Sequence, residues 1–144
     1  MRTVEDLLRV KGYDVWAIDP DSTVYDALKM MADKNIGALL VLDGDKVAGI
    51  FSERDYARKV VLQGKFSREI LVREIMTGDL ISVRPDQSIQ DCMALMTQGR
   101  VRHLPVLDEG QLKGLISIGD VVRAVVSEQE FMIHQLENFI GGGR

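Results

Sequence analysis

The stretch Gly49 to Asp55 reads GIFSERD, and sixty-five residues later Gly114 to Asp120 reads GLISIGD. Each copy leaves an apolar run through a glycine, turns polar at a serine and places an aspartate three residues on. Working outward, residues 20–61 align without a gap on residues 85–126, and 14 of the 42 aligned positions are identical. The matches include Pro20/Pro85, Asp26/Asp91, Asp43/Asp108, Gly49/Gly114, Ser52/Ser117, Asp55/Asp120 and Arg58/Arg123. Self-similarity over a whole unit, beyond shared hydrophobicity, predicts two copies of one supersecondary module. Two copies fit a closed pair better than a solenoid.

Inside each unit the periodicity changes in the same order. Val24, Ala27, Leu28 and Met31 recur at helical spacing, as do Ile89, Cys92, Met93 and Met96, so each unit has an amphipathic helix. Thr23-x-x-Asp26 and Ser88-x-x-Asp91 are capping boxes at its start. The runs ALLVLD (38–43) and KVAGIFS (46–52), with HLPVLD (103–108) and QLKGLIS (111–117), are joined by hairpin-turn residues and read as antiparallel pairs. A second helix follows, ERDYARKVVLQ in one copy and IGDVVRAVVSE in the other. With the β-like pieces YDVWAI and LISV, each unit is β-α-β-β-α. The expected fold is α+β (mixed α/β), a half-covered sheet in each unit needing the other copy, hence a pseudo-twofold pair. The expected boundaries are 3–61 for repeat one, 62–73 for a short helical linker, 74–126 for repeat two, and 127–144 for a C-terminal helix with a frayed GGGR end. That helix carries an apolar stripe (Phe131, Met132, Ile133, Leu136, Phe139, Ile140) for which its own module and a partner chain are equally good cover.

Composition narrows the function classes. A chain of 144 residues that is 46% hydrophobic sustains one good core or two small ones. No apolar run reaches the roughly 18 residues of a membrane span, and MRTVEDLLRV is acidic where a signal peptide is basic, so a cytoplasmic protein without a membrane role is expected. One cysteine and two histidines, with no C-x-x-C or H-E-x-x-H, leave little to build a metal site. The net charge of −4 argues against nucleic acid as a partner. Cys92 sits in the apolar stripe at the position that matches Ala27 in the first copy, and reads as a buried structural thiol rather than a nucleophile.

The pattern [ST]-x-x-[DE] occurs six times, starting at Thr3, Thr23, Ser52, Ser88, Ser117 and Ser127, and helix capping accounts for it without any ligand. Ser52 and Ser117 differ because a strand and a glycine directly precede them. Such a strand-to-helix corner points amides and a helix N-terminus outward, which suits phosphate or ribose; a carboxylate there accepts from vicinal hydroxyls.

A pair of β-α-β-β-α units each ending in G-h-x-[ST]-x-x-[ND] resembles the tandem cystathionine-β-synthase (CBS) domain, or Bateman module. VRHLPVLD (101–108) and EIMTGDLISVRPD (74–86) are similar to the family's sequences too, and the resemblance covers about residues 3 to 126. It implies a stand-alone regulatory module, without enzymatic activity or catalytic cofactor, that binds an adenine nucleotide (AMP, ATP or NAD) in clefts between the repeats. By this resemblance Asp55 and Asp120 hold ribose hydroxyls beside Ser52 and Ser117, with Ile118 at the second corner. The stretches Ile36-Gly37-Ala38 and Val101-Arg102-His103 line the adenine slot. Arg54, Arg102 and His103 are expected to converge on one phosphate, making the two sites unequal. A homodimer and an effector protein are the expected partners; the alternative is a scaffold that docks through its C-terminal helix and binds no nucleotide.

Overall fold

A computed structural model describes residues 2–141, so the end of the GGGR tail, 142–144, lies outside the described residues. The described residues divide into two compact units, residues 14–80 and residues 2–13 with 81–141. The fold is mixed α+β, with a small sheet in each.

In the 14–80 unit the order is β1 (Ala17–Ile18), α2 (Val24–Lys34), β2 (Ala38–Asp43), β3 (Lys46–Ser52), α3 (Glu53–Tyr56) and α4 (Val72–Ile75); helix α1 (Val4–Lys11) belongs to the other unit. Strand β2 is central, parallel to β1 and antiparallel to β3. The expected strand YDVWAI shortens to its last two residues, leaving Trp16 exposed with the Lys34 ammonium 4.2 Å from its ring centroid. Helix α3 continues into a π-helical segment, Ala57–Val61, closed by a bond from Leu62 N to Ala57 O. Of the linker, only α4 is helical, and it forms part of this unit. Val24, Ala27, Met31, Leu39, Val41, Phe51, Val60, Val72 and Ile75 make the core, an apolar stripe from each helix against one face of the strands.

The other unit contains α1, α5 (Ile89–Gly99), β4 (His103–Asp108), β5 (Gln111–Ser117) and α6 (Ile118–Gly141). The piece LISV contributes a single parallel bridge, Val83 to Val106, rather than a strand. Hairpin β4–β5 turns at Glu109 and Gly110, with φ of 52° and 79°; β2–β3 turns at Gly44, with φ of 63°, so both use the positive φ that matches strand twist. Register breaks at Val41/Leu42 and at Val106/Leu107, so even the irregularity repeats.

One segment departs from a simple division by repeat. Helix α1 precedes the aligned stretch 20–61 and falls within the bounds expected for repeat one, yet Val4, Leu7 and Leu8 are buried in the core of the unit that contains residues 85–126. Val4 N and Glu5 N donate to Gln87 O and Pro85 O, and Ile89 N donates to Arg2 O. In the other unit Val72 N, Arg73 N and Val24 N make the matching bonds to Ser22 O, Pro20 O and Ile70 O. Each of the aligned stretches 20–61 and 85–126 thus packs a short helix that precedes the other stretch in the chain.

Helix α6 runs without interruption through the end of repeat two into the tail. Ser127 lies in its interior, so the pattern starting there is no helix start, a correction to the six-fold capping count. Phe131, Met132, Ile133, Leu136, Phe139 and Ile140 are all exposed, so the tail's apolar stripe is not covered by its own unit.

Candidate functional site

The two Ser-x-x-Asp corners form as capped strand-to-helix junctions. At corner one, Ser52 N and Ser52 Oγ both donate to Asp55 Oδ2 at 3.0 Å, while Asp55 N donates to Ser52 Oγ at 3.2 Å. At corner two, Ser117 N donates to Asp120 Oδ2 at 2.8 Å and Asp120 N to Ser117 Oγ at 3.2 Å. Asp55 and Asp120 are the buried charged residues among those described, each 8% exposed. A carboxylate is removed from water at this cost only where fixed donors surround it.

Those donors differ between the copies. Asp55 Oδ1 accepts from Thr77 Oγ1 at 3.1 Å and pairs with Lys59 Nζ at 3.0 Å, one turn along its own helix. With the two Ser52 bonds, all of the roughly four lone-pair positions of this carboxylate are filled. Asp120 Oδ2 pairs with Lys11 Nζ at 2.6 Å, and Oδ1 with the Arg123 guanidinium at 2.7 Å. The Ser117 hydroxyl also helps hold this carboxylate, and the Arg123 side chain, 73% exposed, is held weakly. Burial pushes the Asp120 carboxyl up, but the Lys11 hydrogen bond, the Ser117 amide and the Lys11 charge outweigh it and hold the group below the usual 3.8.

The motif glycines serve close approach. A Cβ on Gly49 would sit 2.6 Å from Thr77 O and 3.0 Å from Met76 Sδ; one on Gly114 would sit 2.8 Å from Leu8 Cδ2. In both corners, glycine lets the chain preceding the other repeat lie on the last strand. That approach seats Thr77 against Asp55 and Lys11 against Asp120.

Each flanking stretch joins its own corner. Ala38 pairs with Ser52 and His103 with Ser117 in register, while Glu53 N donates to Gly37 O and Ile118 N to Arg102 O. Thus Ile36, Gly37 and Ala38 flank Ser52, Arg54 and Asp55 in one unit, and Val101, Arg102 and His103 flank Ser117, Ile118 and Asp120 in the other. Arg54 and Arg102 are exposed. Burial, then the Lys11 charge, depress the His103 imidazole below 6.5; Asp120 opposes them and Arg102 adds to them. Glu53 Oε1 stands 3.7 Å from the Cβ position of Gly37, putting an acid where corner two has Ile118. A hollow of about 570 Å³ between α2 and α3 is lined by Ile36, Gly37, Glu53 and Tyr56, but Ser52 and Asp55 face their cap instead. Cys92 is fully buried, and burial followed by the Asp91 charge pushes its thiol up to about 11, so it is inert in the fold.

Lys11, Lys59, Thr77 and Arg123 are site residues that sequence reasoning missed. Arg123 carried a signal, since it matches Arg58 in the repeat, and Lys59 stands one helical turn from Asp55. Lys11 and Thr77 carried none, because the packing that brings them in is tertiary.

The family model for the CBS domain matches residues 3–62 and 72–127. The chain belongs to the CBS domain family. Among its relatives is the mitochondrial CBS domain-containing protein CBSX3 of Arabidopsis thaliana, 42% identical over 98% of this chain and 73% of the relative. A solved structure from Burkholderia ambifaria, a protein with CBS domains described in terms of signal transduction, is 55% identical with a TM-score of 0.84. That match spans 88% of this chain and 96% of the other. The hexameric CBS-CP12 protein of bloom-forming cyanobacteria is 29% identical with a TM-score of 0.74, covering 83% of this chain and 66% of that one. No helix of the described residues is long and apolar enough to cross a membrane.

Proposed function

We propose that this CBS pair is a regulatory, non-catalytic sensor that binds an adenine nucleotide such as AMP, ATP or NAD at its Ser-x-x-Asp corners and relays occupancy to an effector protein. The carrying observation is a buried carboxylate, Asp120, held ionised beside a capped helix start, with its Arg123 partner exposed and weakly held and with Lys11, Arg102 and His103 around it. A ribose diol needs acceptors and a phosphate needs cations; corner two offers both. Corner one offers less, because Glu53 repels an anion beside Gly37. The corners are therefore unequal, with corner two the stronger. A reducing setting such as the cytoplasm suits the lone buried thiol.

Self-association belongs to the same reading, and α6 supports it. Ile118, Val122, Val125, Gln129, Met132, Leu136 and Phe139 follow one another at alternating spacings of four and three, a heptad seam with one polar position. With Met93, Val126, Phe131, Ile133 and Ile140, the apolar side chains near this seam are mostly about half to four-fifths exposed. At up to ~150–250 Å² for each aromatic side chain and less for each aliphatic one, they together present on the order of 1,000 Å², above the ~800 Å² per partner of a stable interface. A second copy of this chain, seam against seam, is the occupant, giving a homodimer. A chain ended after Val126 is expected to sediment as a monomer where the full chain is a dimer; dimeric truncated protein would refute the seam.

The nucleotide reading is tested by thermal unfolding with AMP, ATP and NAD. Ligand at 100 times its dissociation constant adds ~2.7 kcal/mol to the folded state. A raised midpoint with at least one supports the sensor, whereas none with any of them favours a scaffold.

A further inference from the structure

We propose that Lys11, delivered from the helix that precedes repeat one, makes corner two selective for phosphorylated over unphosphorylated adenine ligands. This rests on the nucleotide reading of that corner and goes beyond it by naming the residue that reads the phosphate.

The Lys11 ammonium donates to Asp120 Oδ2 and to Leu115 O, at the end of a side chain about one-third exposed. An ammonium has three N–H donors, so two fixed bonds leave one to offer. Pinned at both points, the group stands beside the ribose acceptor at no further ordering cost. That is the condition under which a lysine contact with phosphate contributes to affinity.

Charge at the two corners points the same way. Around corner two stand Lys11, Arg102 and Arg123 against one carboxylate, Asp120. Around corner one stand Arg54, Arg58 and Lys59 against two, Glu53 and Asp55. Thr77, the neutral residue that reaches Asp55 from the matching segment, supplies a hydroxyl where Lys11 supplies a charge. Corner two thus carries the larger excess of positive charge, and an anion is favoured more where Lys11 is. The depressed Asp120 carboxyl fits the same arrangement, since Lys11 is the main group holding it ionised.

The test is calorimetric titration at pH 8 of adenosine and AMP into the wild type, Lys11→Gln and Lys11→Arg, with folding of each checked by circular dichroism. Lys11→Gln retains a donor for Leu115 O and Asp120 while removing the charge. The wild type is expected to prefer AMP over adenosine by at least tenfold. Lys11→Gln is expected to lose most of that preference, with adenosine affinity kept within about threefold, and Lys11→Arg to keep it. A merely structural lysine would lower both affinities together and leave the ratio unchanged, which would overturn the proposal alone. A wild type that binds neither adenosine nor AMP would overturn the nucleotide reading as well. If it then binds inorganic phosphate, seen as shifts of the Ser117 and Asp120 amide resonances, the anion site stands without the nucleoside.

Discussion

Adding one methyl group to each motif glycine tests why the glycines are there. Neither Gly49 nor Gly114 has a positive φ, so alanine is not strained by its backbone and any cost comes from the neighbour it meets. At Gly49 that neighbour is a backbone oxygen, Thr77 O, 2.6 Å from the new Cβ. Thr77 O and Thr77 N exchange bonds with Ile50 at 2.9 Å, so relief requires parting the segment from the strand. Overpacking at ~1–3 kcal/mol, with two weakened hydrogen bonds at ~0.5–1.5 kcal/mol each, puts Gly49→Ala at roughly 3 kcal/mol. At Gly114 the contact is the fully buried Leu8 side chain, its Cδ2 methyl at 2.8 Å, with no backbone hydrogen bond at stake. Overpacking alone costs ~1–3 kcal/mol, so Gly114→Ala should cost about 2 kcal/mol, less than Gly49→Ala. Urea unfolding of the two variants at neutral pH measures the difference. No cost at either position would refute close approach as the reason for glycine, and with it the account of how Lys11 and Thr77 are seated; equal costs would refute the ranking.

Protonation supplies a second prediction. His103 has a folded pKa below its ordinary 6.5, so the unfolded chain takes up its proton first and stability falls as pH drops from about 6.5 through the folded value. The slope is at most ~1.4 kcal/mol per pH unit, and His103→Gln should flatten it in urea midpoints between pH 7.5 and 5.5; an unchanged slope would count against it. Asp120 acts lower: its depressed folded pKa gives stability that is present above 3.8 and lost as pH falls through the folded value, and Asp120→Asn should remove that loss. Cys92, buried and with its thiol raised to about 11, should react with an aromatic disulfide reagent only on unfolding. Rapid labelling of native protein would show the core of that unit to be open.

Local patterns were legible because they depend on near neighbours. Val24 to Met31 and Ile89 to Met96 announced helices by spacing; turn residues announced the hairpins, and the offset of 65 announced their repetition. Ser52-x-x-Asp55 was legible as a cap and, from the preceding strand and glycine, as a corner. Ser127-x-x-Glu130 carries the same letters inside a continuous helix, since nothing before it stops the apolar run of Val121, Val122, Val125 and Val126. The contact of Lys11 with Asp120 spans 109 positions and depends on which core buries Leu7 and Leu8. Hydrophobic spacing says that such residues are buried, not against which repeat. For the same reason the motif aspartate read as an open acceptor, when at Asp55 protein donors already fill it.

Titrating AMP into the wild type, Asp55→Asn and Asp120→Asn by calorimetry tests the central claim most directly. The account predicts that Asp120→Asn loses the tighter site, by at least tenfold in affinity, while Asp55→Asn keeps it. Loss of that site through Asp55→Asn with Asp120→Asn unaffected, or no heat of binding in the wild type, would contradict it.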